Sequence, residues 1–319
     1  MAIEHASMRA VRKPWGSIDL RPWSNMRDDG GAIGELWFQR PDVNAPDPAL
    51  LLKLLFTTQP LSIQVHPDDA FAQSIGLEHG KTEAWYILSA TPGAKIAVGL
   101  KRRLTTAQLR ASIGDGSISD LVQWRHVLKD DVIFVPAGTI HAIGPGLVIA
   151  EIQQQSDATF RLFDHGRQRE LHVDNAVAAA NAGPAERQSI PRRLTDVRTL
   201  LITSPQFVLE RIDLPPKSNW ELDAKHETWI LVLEGCARIG LSNASVGEAI
   251  FLEAEGASIE VGPEGMKCLL AYLGPEPSPS LLHNPDGWSA SSSLSDQPSS
   301  PSQHRAIAGS PVRSMEARP

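Results

Sequence analysis

Between Leu61 and Leu88 the chain alternates polar and apolar residues with a period of two, and that restricts it to β-structure more firmly than any other stretch. Ser62, Gln64 and His66 share one parity while Leu61, Ile63 and Val65 share the other. Successive side chains of a strand point to opposite faces, so one face would be polar and the other packed. Lys81, Glu83 and Trp85 then share a parity against Ala84 and Tyr86. HPDD and LEHGK between the two runs read as turns or loops. Two adjacent strands would aim Gln64, His66, Lys81 and Glu83 at a common interior. Imidazole nitrogen with carboxylate and amide oxygen is a donor set that suits zinc or a similar divalent ion.

A tetrahedral site needs a further ligand, and His141 in DDVIFVPAGTIHAIG offers it. A strand at Val132–Val135 runs into a Pro136-Ala137-Gly138 turn that presents the histidine. Asp130 followed by Pro136-x-Gly138-x-x-His141 resembles the second half of a cupin signature, with Asp130 where that pattern usually has glycine. A lone histidine in a β-rich chain is ordinarily a packed or surface residue. His141 with His66, Gln64 and Glu83 in matching strand patterns is read as a metal site.

QVHPDD, GKTEAWYIL, VPAGTIHAIG and EIQQQSDATFRLFDHGR together resemble the type I phosphomannose isomerases (mannose-6-phosphate isomerases) in their short bacterial form. KPWGS at Lys13–Ser17 and IGELWF at Ile33–Phe38 resemble that family's opening segments. The resemblance runs from about residue 11 to about residue 274. It implies one zinc per chain on Gln64, His66, Glu83 and His141, and exchange of mannose 6-phosphate with fructose 6-phosphate through an enediolate. It also makes Arg161 the active-site arginine, with Phe160 standing where the family generally has tyrosine. Larger members insert a helical domain near Pro41–Pro48, which is absent or reduced here.

The proton of such an exchange needs a general base, and Lys81 and Glu151 are the candidates, with Arg161 to steady developing negative charge. Glu151, Gln153, Gln155, Asp157, Thr159 and Arg161 place a polar residue at every odd position, read as one strand face lining a pocket. Ser62, Lys53, Asp157 and Arg167 are the candidate substrate contacts. Lys53 interrupts the apolar LLKLLF, as a pocket cation or as a lysine snorkelling from an edge strand. Arg167 is either a phosphate ligand, since a guanidinium fork fits phosphate oxygens, or a surface partner of Asp164. Two other functions remain open at this point: a sugar-binding cupin without turnover, and another metal-dependent cupin enzyme such as an iron oxygenase.

The expected fold is mostly β, as two cupin (jelly-roll) barrels. A catalytic barrel over 1–182 carries a small helical excursion at about 104–127, with Thr105-Thr106 as a cap and a second short helix in SDLVQWRHV. A helix from Leu171 to Ala182 leads to a degenerate second barrel over 183–274. There Lys225–Trp229 aligns with Lys81–Trp85 and GEAIFLEAEGAS with DDVIFVPAGTIH, but Glu253, Glu255 and Ser258 replace Pro136, Gly138 and His141. Glu210 stands where the spacing would put a second His66. The Ser- and Pro-rich 275–319 reads as a disordered tail, too poor in large apolar residues to offset its ordering entropy.

The expected partner is a phosphorylated hexose, for a monomer or weak homodimer. A net charge of −7 with scattered basic residues gives no reason to expect nucleic acid. No run of about eighteen apolar residues suggests a membrane span. Two cysteines and an N-terminus without an apolar core point to the cytoplasm.

Overall fold

The structure, a computed structural model, describes residues 3–26 and 31–285. It is mostly β, as expected, in three sheets. A six-stranded sheet runs in the order Ser7–Ser17, Ile33–Gln39, Leu50–Thr57, Leu147–Gln154, Glu83–Ala90, Val132–Val135. A five-stranded sheet runs Phe160–Phe163, Ile63–Val65, His141–Ile143, Lys95–Leu100, Val122–His126. These two face one another across a core that includes Leu55, Trp85, Ile87, Ile149, Ile96, Val98 and Ile143.

The six-stranded sheet is covered on both faces. Its even-numbered residues Leu52, Leu54, Ala84, Tyr86, Ala150 and Ile152 pack against Phe207, Leu209, Trp229, Leu231 and Phe251 of the third sheet. A strand buried on both sides needs no alternation, so LLLKLLF is apolar at nearly every position. Lys53 lies on an interior strand of this sheet, which removes the edge-strand reading, and it is 2% exposed. On the outer face of the five-stranded sheet, Ile63, Val65, Ala97, Ala142 and Leu162 carry a helical layer built on Leu109, Ile113, Ile118 and Ala176.

The helical excursion has the expected start. Thr105 caps helix Thr106–Gly114 in a reciprocal box with Gln108. The second helix is only Ile118–Leu121. The rest of SDLVQWRHV is the strand Val122–His126, because pairing with Lys95–Leu100 lets Val122 reach the core. The helix expected over 171–182 is Val173–Ala179. Asp130 sits at φ 72, in the left-handed region that favours glycine and tolerates aspartate. Its Oδ1 accepts the Tyr86 hydroxyl hydrogen at 2.7 Å, so the departure from glycine leaves the turn intact.

The third sheet holds the strands from Arg192 to His283 together with Ile3–His5, which pairs with Ala249–Leu252. Residues 3–5 therefore join the second half, which departs from the expected assignment of all of 1–182 to the first barrel, while Ser7–Ser17 stays with the first. In that half Glu210, 0% exposed, accepts from Arg198 at 2.7 and 2.8 Å and from the Tyr272 hydroxyl at 2.6 Å. Glu227 accepts the backbone N–H of Ala49, and Ser258 faces solvent. Among the described residues, the group of three or more histidine, cysteine or acidic side chains close enough to hold a metal is His66, Glu83 and His141, and none arises in this half.

The tail expected from 275 begins too early. Leu282 pairs with Leu222, Leu281 and Leu282 are buried in the second-half core, and Arg198 donates to the carbonyls of Ser278 and Pro279. Residues 286–319 lie outside the described residues. A chain ending at Gly274 should consequently unfold well below one ending at Pro285. Two leucines buried at about 1.5–3 kcal/mol each predict a drop of roughly 5 °C or more in thermal midpoint. Calorimetry on the two chains checks it, and equal midpoints would remove 275–285 from the fold. Among the described residues no helix is long and apolar enough to cross a membrane.

Candidate metal centre

The site is assembled from both sheets of the first half. Gln64 lies on Ile63–Val65, and His141 opens the neighbouring strand directly opposite it. His66 follows the end of the first of these strands. Glu83 comes from the facing sheet, where it opens Glu83–Ala90 between Val135 and Gln153. The expectation that Gln64, His66, Lys81 and Glu83 lie on adjacent strands is thus corrected. Residues 67–82 include helix Asp69–Ser74 and cross from one sheet to the other instead of forming a hairpin.

That crossover is braced. Asp69 Oδ1 accepts from the Gly80 N–H at 2.7 Å and from Gln154 Nε2 at 2.9 Å, and Gln154 Oε1 accepts the Thr82 N–H at 2.9 Å. A Cβ at Gly80 would stand 2.5 Å from the Asp68 carbonyl carbon, so only glycine allows the approach. Lys81 and Glu83 are carried inward as a result.

His66, Glu83 and His141 are each 1% exposed, and one ligand atom from each falls within 4.8 Å of the others. His66 Nδ1 donates to the Ala158 carbonyl at 2.7 Å and His141 Nδ1 to the Thr139 carbonyl at 2.8 Å. Carbonyls only accept, so both neutral rings turn an Nε2 lone pair inward, as metal-ligating histidines do. Those lone pairs face Glu83: His66 Nε2 is 3.4 Å from Oε2 and His141 Nε2 is 3.4 Å from Oε1. Among the described residues neither Glu83 oxygen has a hydrogen-bond partner, although both are buried. Lys81 Nζ stands 3.4 Å from Oε2, at ion-pair distance without hydrogen-bond geometry.

Three buried acceptors turned toward one another are costly unless a cation lies among them. Donors about 2.0–2.2 Å from a tetrahedral ion stand about 3.3–3.6 Å apart; each imidazole nitrogen is 3.4 Å from one oxygen of Glu83, and the whole set stays within 4.8 Å. Gln64 completes the set, its amide nitrogen 3.3 Å from His141 Nε2 and 3.5 Å from His66 Nε2. Turning the amide over would present Oε1 at that point and let Nε2 donate to Ser62 Oγ, now 2.9 Å from Oε1. The residues fit a divalent ion.

Burial pushes the Glu83 carboxyl up despite Lys81, and burial with the charge of Glu83 does the same to Glu151. Burial works to lower Lys81, but Glu83 and Glu151 outweigh it and hold the ammonium above its ordinary value. Burial lowers His141 to about 4 from an ordinary 6.5 in the metal-free protein. The unfolded chain takes up this proton below about 6.5 and the folded chain only near 4. The contribution of His141 to stability is then intact above 6.5 and lost as the pH falls toward 4, on the order of 3 kcal/mol, while the raised carboxyls of Glu83 and Glu151 act in the opposite sense. Urea midpoints of chelated wild type and chelated His141→Gln at about pH 7.5 and about pH 5 isolate it, and the wild type should lose more between the two. An equal change in both proteins would sink it.

Beside the metal-ligand set opens a cleft of about 230 Å³. Of the candidates from sequence, Ser62, Lys53, Gln64, Lys81, Glu151, Asp157 and Arg161 line it. Glu151 accepts from Trp85 Nε1 at 3.1 Å and lies 3.6 Å from Lys53 Nζ, which also sits 4.3 Å over the Trp37 ring. The continuous polar strand face from Glu151 to Arg161 is not observed. Glu151 and Gln153 lie on the six-stranded sheet, 155–159 is a connection, and Arg161 lies on the five-stranded one. Both ends still reach the cleft because the sheets face each other. Gln153 instead donates to the carbonyls of Gln154 and Ser156.

Arg167 is not among the lining residues. It is held by Asp164 at 2.9 Å and by the Pro60 carbonyl at 2.9 Å. Lys13, Glu35, Arg169 and His172 line the cleft and were not anticipated. Glu35, a charge inside an apolar strand, carried the same signal as Lys53. Arg169 and His172 lie in an irregular segment that offers no periodicity to read.

No family model matches the chain. A curated mannose-6-phosphate isomerase of Streptococcus mutans is 36% identical over 198 residues, covering 60% of this chain and 62% of that protein. The match thus spans less than two thirds of that relative's length. The crystal structure of the mannose 6-phosphate isomerase of Bacillus subtilis is similar with a TM-score of 0.75 at 23% identity, over 86% of this chain and all of that one. A zinc-bound mannose 6-phosphate isomerase structure gives a TM-score of 0.67 at 14% identity, over 86% of this chain and 100% of that chain. The fold is therefore shared with these enzymes, and the resemblance read from the four motifs is borne out.

Proposed function

We propose that this chain is a zinc-dependent aldose–ketose isomerase interconverting mannose 6-phosphate and fructose 6-phosphate, with one zinc held by Gln64, His66, Glu83 and His141. The observation that carries the reading is Glu83: a buried carboxylate that has the Lys81 ammonium at 3.4 Å but no well-formed hydrogen bond among the described residues, faced by two imidazole lone pairs, beside a cleft lined by lysine and arginine. The similarity to mannose-6-phosphate isomerases supports the choice of substrate. A divalent ion at this point would supply Lewis-acid stabilisation of the oxygen charge that develops in the reaction.

The exchange moves a proton from carbon 2 of the open-chain aldose to carbon 1 through an enediolate. Glu151 has the surroundings of the proton carrier. Burial pushes its carboxyl up from the ordinary carboxylate range, while Trp85 Nε1–H and Lys53 fix its orientation. Lys81, kept protonated by the acids around it, is better suited to hold a substrate oxygen than to accept a proton. Arg161 would meet the developing negative charge with a planar fork.

A coupled assay of mannose 6-phosphate conversion, before and after chelation and zinc readdition, tests the reading. Turnover should vanish on chelation and return with about one zinc per chain. A chain carrying full zinc that converts nothing, or turnover indifferent to zinc removal, would overturn it. Elemental analysis of protein purified without added metal separates zinc from iron.

A further inference from the structure

The cationic side chains lining the cleft are not equivalent. Lys13 stands 3.2 Å from Glu35, Lys53 3.6 Å from Glu151 and Lys81 3.4 Å from Glu83, so each lysine already answers a buried carboxylate. The arginines do not. Among the described residues Arg161 has no carboxylate at ion-pair distance, and its Nη1 donates to the Glu170 carbonyl at 3.1 Å. Arg169 shares the buried Asp164 with Arg167. Asp164 accepts Arg169 Nε at 2.7 Å and Nη2 at 2.5 Å, and Arg167 Nε at 3.1 Å and Nη2 at 2.9 Å. One carboxylate between two guanidinium groups leaves a positive charge over.

The two arginines spend that charge differently. Arg167 turns its remaining Nη2 hydrogen to the Pro60 carbonyl, away from the cleft lining. Arg169 lines the cleft, and among the described residues its Nη1 finds no acceptor. Asp164 grips one edge of this guanidinium and leaves another open. His172 adds a second donor. Its Nδ1 accepts the Arg161 backbone N–H at 3.1 Å, so the neutral ring carries its hydrogen on Nε2. Nε2 finds no acceptor among the described residues, and His172 also lines the cleft. The backbone N–H of His172 donates to the Arg161 carbonyl at 2.9 Å, which ties the segment to the strand beside the metal ligands.

We propose that Arg169 and His172 form the seat for the phosphate of the substrate, with Asp164 as the group that positions Arg169. This rests on the sugar-phosphate reading above and goes beyond it in separating phosphate recognition from the metal end of the cleft. A guanidinium pinned by one carboxylate and open on a second edge is preset for two phosphate oxygens. The neutral imidazole supplies one further N–H. Lys13 and Lys53 are answered by Glu35 and Glu151 within the cleft, and Lys81 stands beside the metal ligand Glu83, so the arginine end carries charge set apart from the metal for a dianion.

The test uses zinc-loaded wild type and Arg169→Gln, with zinc content as the check that both are folded. Calorimetry with inorganic phosphate should show binding weakened roughly tenfold or more in the variant. KM for mannose 6-phosphate should rise roughly tenfold or more, with kcat changed much less. The preference for mannose 6-phosphate over unphosphorylated mannose should fall accordingly. If Arg169→Gln fails to load zinc, Arg169→Lys carries the test, because it keeps a charge beside Asp164 but loses the fork, and KM should still rise. Phosphate affinity and KM within about twofold of wild type would overturn the seat while leaving the isomerase reading intact. Arg169-dependent phosphate binding in a wild type that converts neither sugar would support the seat and end the isomerase reading.

Discussion

Replacing His141 by alanine should strip the chain of zinc and lower isomerase turnover by roughly a thousandfold or more, and His66→Ala should do the same. Losing one of the four proposed ligands also removes the bond that His141 Nδ1 donates to the Thr139 carbonyl, and such outer contacts alone are worth about 10–100-fold in metal affinity. The remaining donors would still face one another across the gap, and Glu83 would have to bind a proton instead. The Trp85 ring packs edge-on against His141 at 5.5 Å, so part of the damage will be packing. Metal content must therefore be read beside circular dichroism. A folded His141→Ala protein that keeps stoichiometric zinc would show that the ion sits elsewhere. Glu227→Gln supplies the contrast. Among the described residues its carboxylate accepts only the Ala49 N–H, a role an amide oxygen can keep, so zinc content should not change.

The parts of this site that could be read from the sequence are those where a side chain's direction follows from local periodicity. Gln64 and Glu83 sit on strands, and His141 at the head of one, whose apolar partners (Ile63 and Val65, Ala84 and Tyr86, Ala142) have cores to fill on the other side. Parity alone therefore turns the polar members inward. It does not say which strands are neighbours. Gln64 and Glu83 meet across a sandwich because Gly80 and the Asp69 brace carry the chain over, a relation with no local signature. The odd-numbered run from Glu151 to Arg161 misled for the same reason. Its period continues through 155–159 by coincidence of two strands that face each other.

Long-range placement also explains the omissions. Arg169 and Arg167 are two residues apart in an irregular segment, and only the Pro60 carbonyl and the cleft distinguish them. At the other end of the chain, Leu281 and Leu282 are two apolar residues in a Ser- and Pro-rich composition. Average composition hides a pair that closes a core.

Arg161→Ala should lower kcat by roughly a hundredfold or more with zinc still bound, the scale for removing one charge-stabilising donor. Arg161 is the cross-strand partner of Gln64, so its side chain leaves the sheet on the face that carries Gln64. It is the cleft cation without a carboxylate partner among the described residues, which leaves its charge available to the reacting oxygens. Only an interaction stronger in the transition state than in the bound sugar accelerates the step. Arg161→Lys should recover little, since a point charge lacks the planar fork. The bonds from the Arg161 backbone to His172 survive either substitution and hold the proposed phosphate seat, although the Arg161 Nη1 bond to the Glu170 carbonyl is lost in Arg161→Ala. The two arginines then separate in steady-state kinetics: loss at Arg161 falls on kcat and loss at Arg169 on KM. A kcat within about threefold of wild type in Arg161→Ala would remove Arg161 from the chemistry. Glu151 and Lys81 would then have to manage the developing charge as well as the proton.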